Sequence, residues 1–123
     1  MQILSLLFFL GVFFSGGPVF AEGNEEIEYL LSYIATSDCV FIRNGKEYKP
    51  QKASEHLAMK YSHVKKRIKT ADDFIDKIAS QSSITRRQYK IRCGGVQIPA
   101  RQWLRDALEL YGISVKNQET VRE

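Results

Sequence analysis

The chain has 123 residues, two cysteines and a formal net charge of +4 at pH 7. Its length suits a single domain and excludes a second hydrophobic core, because about 100 residues remain after an apolar N-terminal segment. Between Arg43 and Arg105 there are 16 Lys and Arg residues against five Asp and Glu residues. The middle of the chain is therefore predicted to present a positive surface, which favours acidic partners.

The N-terminal segment has the features of a secretory signal peptide. Residues 1–21 contain no charged side chain, and Ile3 to Phe14 is almost entirely apolar. That run is shorter than the roughly 20 residues that span a bilayer, and Gly16-Gly17-Pro18 interrupts it. We expect cleavage after Ala21, a periplasmic or secreted protein, and no stable membrane span after cleavage. The alternative is an uncleaved anchor.

Cys39 and Cys93 are the only cysteines in the chain. In an oxidising compartment an isolated pair usually forms a disulfide. Closing a loop of about 55 residues adds roughly 4 kcal/mol to stability on the chain-entropy model. Two buried free thiols are the alternative, and two cysteines alone do not indicate a metal site.

The mature chain is predicted to begin with a helix and a hairpin. Acidic residues from Glu22 to Glu28 suit a helix N-terminus, and the apolar residues from Ile27 to Ile34 recur at helical spacing. The β-prone runs Cys39 to Arg43 and Lys46 to Tyr48 then flank Asn44-Gly45. Asn-Gly in that position is the strongest short hairpin signal, because both turn residues need positive φ.

A long second helix is predicted from about Lys52 to Lys69. Its core stripe consists of apolar residues at helical spacing, namely Ala53, Leu57, Tyr61, Val64 and Ile68. Thr70 is expected to cap a third helix, with Asp73 at the capping-box position. A polar connector, Ser80 to Ser83, follows this helix.

The sequence after Ser83 predicts a second hairpin and a last helix. Tyr89 to Cys93 and Val96 to Ile98 flank Gly94-Gly95, and Pro99 suits the first turn of a helix that Gly112 ends. The fold class is therefore α+β, with about four helices and two β-hairpins linked by one disulfide. We expect a single domain over 22–112 and a flexible C-terminal tail over 113–123.

The order of several motifs resembles a known family. The motifs are Cys39 to Gly45, Ala53-Ser-Glu-His-Leu57 with Lys60, Thr70-Ala71 with Phe74-Ile75, Ala79-Ser80 through Ser82-Ser83, Tyr89-Lys-Ile-Arg92, and Trp103-Leu104 ahead of Leu108. Together they resemble DUF5329, a bacterial family without an assigned activity, over about Glu25 to Tyr111. The resemblance implies a small exported protein. One departure follows the serine pair, where the family tends towards Ser-Gly and this chain has Thr85-Arg86.

Basic residues on the second helix form the strongest candidate for a binding site. His56, Lys60, His63 and Arg67 are three or four residues apart, which places them on one strip beside the apolar stripe. Such a row is suited to an anion, and it would bind more strongly below about pH 6.5 as the histidines gain charge. The alternative is a solvated edge whose long side chains cover the core. No metal site is expected, because the two histidines are about two turns apart.

The hairpins add two further arginines to the predicted ligand-binding residues. Strand alternation places Arg43 on the face of Phe41, so that it either stacks on an aromatic ring or enters a polar pocket. Arg92 is expected to come close to Arg43 through the disulfide. With the helix residues, these arginines complete the predicted site.

No catalytic or cofactor motif stands out, so we predict no cofactor and no catalytic residue. Ser82 and Ser83 lack a nucleophile elbow, and the acids Asp72 and Asp73 suit the first turn of a helix. The leading hypothesis is a non-enzymatic binding or accessory module with a cationic face for an anionic envelope component or protein. Export argues against nucleic acid. The alternatives are a small periplasmic hydrolase that uses a histidine in a cleft beside the long helix, or assembly through the tail or a hairpin edge.

Overall fold

A computed structural model describes residues 22–122, and the predicted signal peptide lies outside them. The α+β prediction is confirmed. The described chain forms, in order, α1 (Glu22–Thr36), β1 (Val40–Arg43), β2 (Lys46–Tyr48), α2 (Pro50–His63), a 3-10 turn (Lys65–Arg67), α3 (Ala71–Asp73) continued by a π-helix (Phe74–Ala79), β3 (Lys90–Cys93), β4 (Val96–Pro99) and α4 (Ala100–Arg122). Within the described residues, none of these helices is long and apolar enough to cross a membrane.

The two predicted hairpins are parts of one antiparallel sheet with the strand order β2-β1-β3-β4. Both turns use positive φ, at Asn44-Gly45 and at Gly94-Gly95, as the turn residues require. The hairpins meet where β1 pairs with β3, with Phe41 opposite Ile91. Two residues further along this ladder, Cys39 and Cys93 form the predicted disulfide with a Cα–Cα distance of 4.5 Å. That spacing suits residues directly opposite each other on neighbouring strands.

The helices cover one face of the sheet and bury the core against it. Phe41, Tyr89 and Ile91 project from this face, and all three are almost fully buried. Buried apolar residues of all four α-helices and the π-helix complete the same cluster. A buried hydrogen bond of 2.7 Å from Ser54 Oγ to the Leu31 carbonyl joins α2 to α1. The sheet therefore presents one packed face and one outer face.

Helix α2 is shorter than predicted and begins two residues earlier. Pro50 occupies the start of the helix, where its missing N–H is not needed. Val64 leaves the helical conformation with φ −127°, and the 3-10 turn brings Ile68 into the core in extended backbone. Continuing the α-helix would place the cations of residues 65–69 beside Lys60 with no intervening acid, which is unfavourable at helical spacing.

The predicted start of the third helix is confirmed, although most of the helix is π-helical. Thr70 Oγ1 accepts a 3.0 Å hydrogen bond from the Asp73 N–H. The Asp73 carboxylate in turn accepts from the N–H of Lys69, one residue before the cap. This pair of bonds satisfies two backbone donors at the helix start, as a capping box does.

The prediction that the last helix ends at Gly112 is wrong. Helix α4 continues through this glycine to Arg122, and Gly112 does not adopt the positive φ of a helix-ending glycine. A glycine inside a helix costs about 1 kcal/mol relative to alanine, which the surrounding turns can offset. Residues 113–122, expected to be a flexible tail, are therefore helical.

The segment between the π-helix and β3 is an ordered loop, which we call loop 81–88. An isolated bridge between Gln81 and Gln88 closes the loop, and the Arg86 N–H donates to the Ser82 carbonyl at 3.0 Å. Arg86 has φ +65°, in the left-handed region that favours glycine. The chain thus keeps a glycine-like turn at the position where it departs from the Ser-Gly of the resembling family.

Replacing Arg86 with glycine should stabilise the protein by up to about 1 kcal/mol. The left-handed conformation costs a non-glycine residue roughly 1–2 kcal/mol, and the greater unfolded-state freedom of glycine removes part of that gain. Urea unfolding followed by circular dichroism measures the change. Ile84→Gly is the matched control, because Ile84 lies in the same loop without positive φ. Stabilisation by both substitutions, or by neither, would contradict the argument.

Candidate functional site

Lys60 is the centre of a hydrogen-bonded cluster between α2, the π-helix and β3. Its Nζ donates to the carbonyl oxygens of Ile78 and Gln81 at 2.9 and 3.0 Å, and to the Tyr89 hydroxyl at 3.2 Å. These three acceptors match the three donors of an ammonium group. The positive charge also suits the carbonyl end of a helix. Lys60 is therefore held inside the fold, and its donors are not available to a ligand.

The surroundings of Lys60 make its ammonium group easier to deprotonate than an exposed lysine. Burial, and then the positive charge of Arg43, lower the pKa of Lys60 to about 8. Burial also raises the pKa of its partner Tyr89. Near neutral pH the pair is consequently an ammonium donating to a phenol, and this polar contact lies beside the buried Phe41 ring.

His56 lies on the same helix as Lys60 but does not act as a surface cation. Its Nε2 is buried and has no hydrogen-bond partner within the described residues. Burial, followed by the charges of Arg43 and Lys60, lowers the pKa of His56. Protonating this ring would place a third positive charge in the cluster. Because the pKa of His56 is lowered, its protonation would begin at a lower pH than that of an ordinary histidine.

The two arginines of the hairpins lie on opposite faces of the sheet. Arg43 shares the helix-covered face with Phe41, and its guanidinium stacks 4.6 Å from the Tyr48 ring centre. It also donates to the Tyr48 hydroxyl at 3.1 Å. Arg92 lies on the outer face and pairs with Glu47 at 3.0 Å. The expected approach of Arg92 to Arg43 is wrong, since the register that forms the disulfide separates them.

A pocket of about 520 Å³ lies between the end of α2 and the π-helix, and we call it the basic pocket. Its apolar floor consists of Val64, Ile68 and Ile78. Its basic residues are Lys60, His63, Arg67 and Lys77, and Ser83 adds a hydroxyl. No acidic side chain lines the pocket. An anion with an apolar part would find a matching surface here.

The exposed side chains of Lys65, Lys66 and Arg67, which we call the basic corner, extend the positive surface beyond the pocket. Within the described residues none of them forms a salt bridge. Two acids of α3 and the π-helix pair with another residue, since Arg105 of α4 contacts Asp72 at 3.0 Å and Asp76 at 2.7 Å. The charge of the basic corner is therefore not neutralised by an ion pair within the described fold.

The structure brings together only part of the predicted strip. His63 and Arg67 line the basic pocket, Lys60 reaches it while bonded internally, and His56 lies in the buried cluster with Arg43. Sequence reasoning missed Lys77 as a lining residue. Lys77 lies on the π-helix, and no local pattern in the sequence brings that element against the end of α2.

These features define a small disulfide-bonded α+β domain with a basic pocket. The chain belongs to DUF5329, a family of unknown function, which matches residues 21–112. It is similar to the uncharacterised protein YfeK of Salmonella typhimurium, with 40% identity over 70 residues. The match covers 56% of this chain and 58% of that relative. No solved structure matches significantly.

The substitution Lys60→Met should lower the free energy of unfolding by about 2 kcal/mol, because it leaves the part-buried carbonyls of Ile78 and Gln81 without their charged donor. Urea unfolding measures the loss. Lys52→Met is the matched control on the same helix, where the lysine side chain is 77% exposed, and we expect a change within about 0.5 kcal/mol. Equal effects of the two substitutions would show that the three hydrogen bonds of Lys60 contribute nothing.

The lowered pKa of His56 predicts a loss of stability on mild acidification. Between the lowered folded pKa and the ordinary unfolded value of about 6.5, the unfolded chain binds a proton that the folded chain does not. The free energy of unfolding should therefore fall as pH decreases from about 7 to 5, and His56→Gln should flatten this slope. Urea unfolding at several pH values tests this, with His63→Gln as the control. An unchanged slope in His56→Gln would contradict the assignment.

Proposed function

We propose that this domain is a non-enzymatic binding module of the bacterial envelope that holds an anionic ligand at the basic pocket. The observation that carries the proposal is the lining of the pocket, in which basic side chains surround an apolar floor with no acid among them. The unpaired basic corner beside the pocket extends the same surface. A positive surface of this kind attracts anionic partners and raises their rate of encounter.

Export is part of the proposal and is supported by the sequence of the N-terminal segment and by the disulfide. Residues 1–21 have the composition of a signal peptide. The bond between Cys39 and Cys93 suits an oxidising compartment. A periplasmic or secreted location would place the basic pocket among the phosphate and carboxylate groups of the envelope.

The residues that would bind the ligand differ from the predicted strip. His63, Arg67 and Lys77 line the pocket, and His63 and Arg67 form no salt bridge within the described residues. Lys77 contacts Asp73 only at 3.8 Å and remains exposed. Lys60 contributes its charge to the pocket, while its donors stay bonded to acceptors within the fold. A ligand would therefore be contacted from α2, the 3-10 turn and the π-helix.

A hydrolase would place its nucleophile and base in the same pocket. His63 and Ser83 both line it, but within the described residues no hydrogen bond joins them and no acid pairs with His63. Nucleophilic catalysis requires a base in reach of the nucleophile and a third group that orients the base. The geometry therefore favours binding over catalysis.

Charge reversal at the basic corner should weaken association with the envelope at least about thirtyfold, because losing two contacts of about 1 kcal/mol each removes about 2 kcal/mol. Each cation near an anionic surface contributes on the order of 1 kcal/mol, and the double substitution Lys66→Glu with Arg67→Glu makes two such contacts repulsive. The measurement is the amount of purified protein that sediments with an isolated bacterial envelope fraction at low and at physiological salt. An intact mass that begins at Glu22 for protein recovered from cells would establish export in the same material.

The matched control is Lys49→Glu with Lys52→Glu, which changes net charge equally at two exposed positions near the start of α2. It should retain most of the association. Equal weakening by both pairs would mean that only net charge matters, and no weakening by Lys66→Glu with Arg67→Glu would remove the basic pocket as the site.

A further inference from the structure

Loop 81–88 presents an apolar side chain to solvent on a fixed backbone. Ile84 is 90% exposed, the highest fraction among the large apolar side chains of the described chain. Its N–H and that of Thr85 both donate to Ser82 Oγ, at 3.3 and 3.2 Å. The Thr85 hydroxyl donates to Asn44 Oδ1 at 2.7 Å, which fastens the loop to the turn between β1 and β2. The exposure of Ile84 is therefore a property of the folded loop.

Positive charges flank this side chain on both sides. Arg86 and Arg87 follow it in the loop, and both are exposed. Ser83, which precedes it, lines the basic pocket together with Arg67. The chain contains no Asp or Glu from residue 77 to residue 105. Ile84 thus lies between a residue that lines the basic pocket and two exposed arginines.

We infer that loop 81–88 and the basic corner form a docking face for an anionic lipid bilayer. Ile84 enters the headgroup layer, while Arg86, Arg87 and the basic corner contact lipid phosphates. The inference rests on the proposed function and names the anionic surface that this module binds. An apolar side chain flanked by cations is the combination by which proteins attach to the interface of anionic membranes.

The shape of the face favours a bilayer over a protein partner. A stable protein interface buries about 800 Å² on each partner around a packed apolar centre. A single projecting isoleucine supplies too little apolar area for such a centre. A bilayer needs no complementary pocket, because its headgroups rearrange around an inserted side chain while its phosphates meet the surrounding cations.

The test measures binding of the protein, in the form the cell makes it, to vesicles of phosphatidylcholine with about 30% phosphatidylglycerol. We expect sedimentation with these vesicles, little with phosphatidylcholine alone, and about tenfold weaker binding for Ile84→Ser, since burying an isoleucine contributes up to a few kcal/mol. Val121→Ser is the matched control, because Val121 is 83% exposed on the distant end of α4. It should bind as the native protein does.

Tryptophan fluorescence of the Ile84→Trp variant measures insertion, and its emission should shift to the blue when the anionic vesicles are added. The emission of Val121→Trp should not shift. Unchanged vesicle binding by Ile84→Ser, or equal loss in Val121→Ser, would overturn the inference. Envelope association that depends on Lys66 and Arg67, without any binding to the vesicles, would overturn the inference and leave the proposed function standing. Absence of both the vesicle binding and the envelope association that depends on Lys66 and Arg67 would overturn the inference and the proposed function together.

Discussion

The antiparallel pairing of β1 with β3 is the constraint on which the rest of the structure depends. It joins two hairpins into one sheet and sets Cys39 opposite Cys93, where the disulfide fixes the register. A shift of β1 by one residue against β3 would turn Phe41 away from the helices and would separate the sulfur atoms. The same pairing brings loop 81–88, which leads into β3, against the turn that follows β1.

Lys60 shows how a basic residue can line a pocket while its own donors are bonded inside the fold. Its ammonium group connects α2 to the carbonyl end of the π-helix and to the Tyr89 hydroxyl. These contacts hold α2 against the π-helix, and both elements contribute residues to the lining of the basic pocket. Its charge still adds to the field at the pocket, where low-dielectric walls screen it less than bulk water does.

The sequence predicted the elements better than it predicted the site. Turn residues with an obligatory positive φ, a capping threonine and periodic apolar residues are local signals, and the hairpins, the start of α3 and the core stripe of α2 followed from them. The union of the hairpins, the bend at Val64 and the separation of Arg43 from Arg92 depend on tertiary packing. No local pattern could show that Lys60 and His56 turn inwards while Arg67 stays exposed.

The conformation of Arg86 connects the fold to the proposed docking face. Left-handed backbone at a non-glycine residue costs roughly 1–2 kcal/mol, and such strain persists only where the surrounding structure holds it. Here the bonds from Ser82 and Thr85 hold the turn, and glycine would fit it without strain. Keeping arginine at this position sets a guanidinium two residues from the exposed Ile84. The backbone strain at Arg86 is then the conformational energy needed to place a tight turn, an exposed apolar side chain and a positive charge within one loop of eight residues.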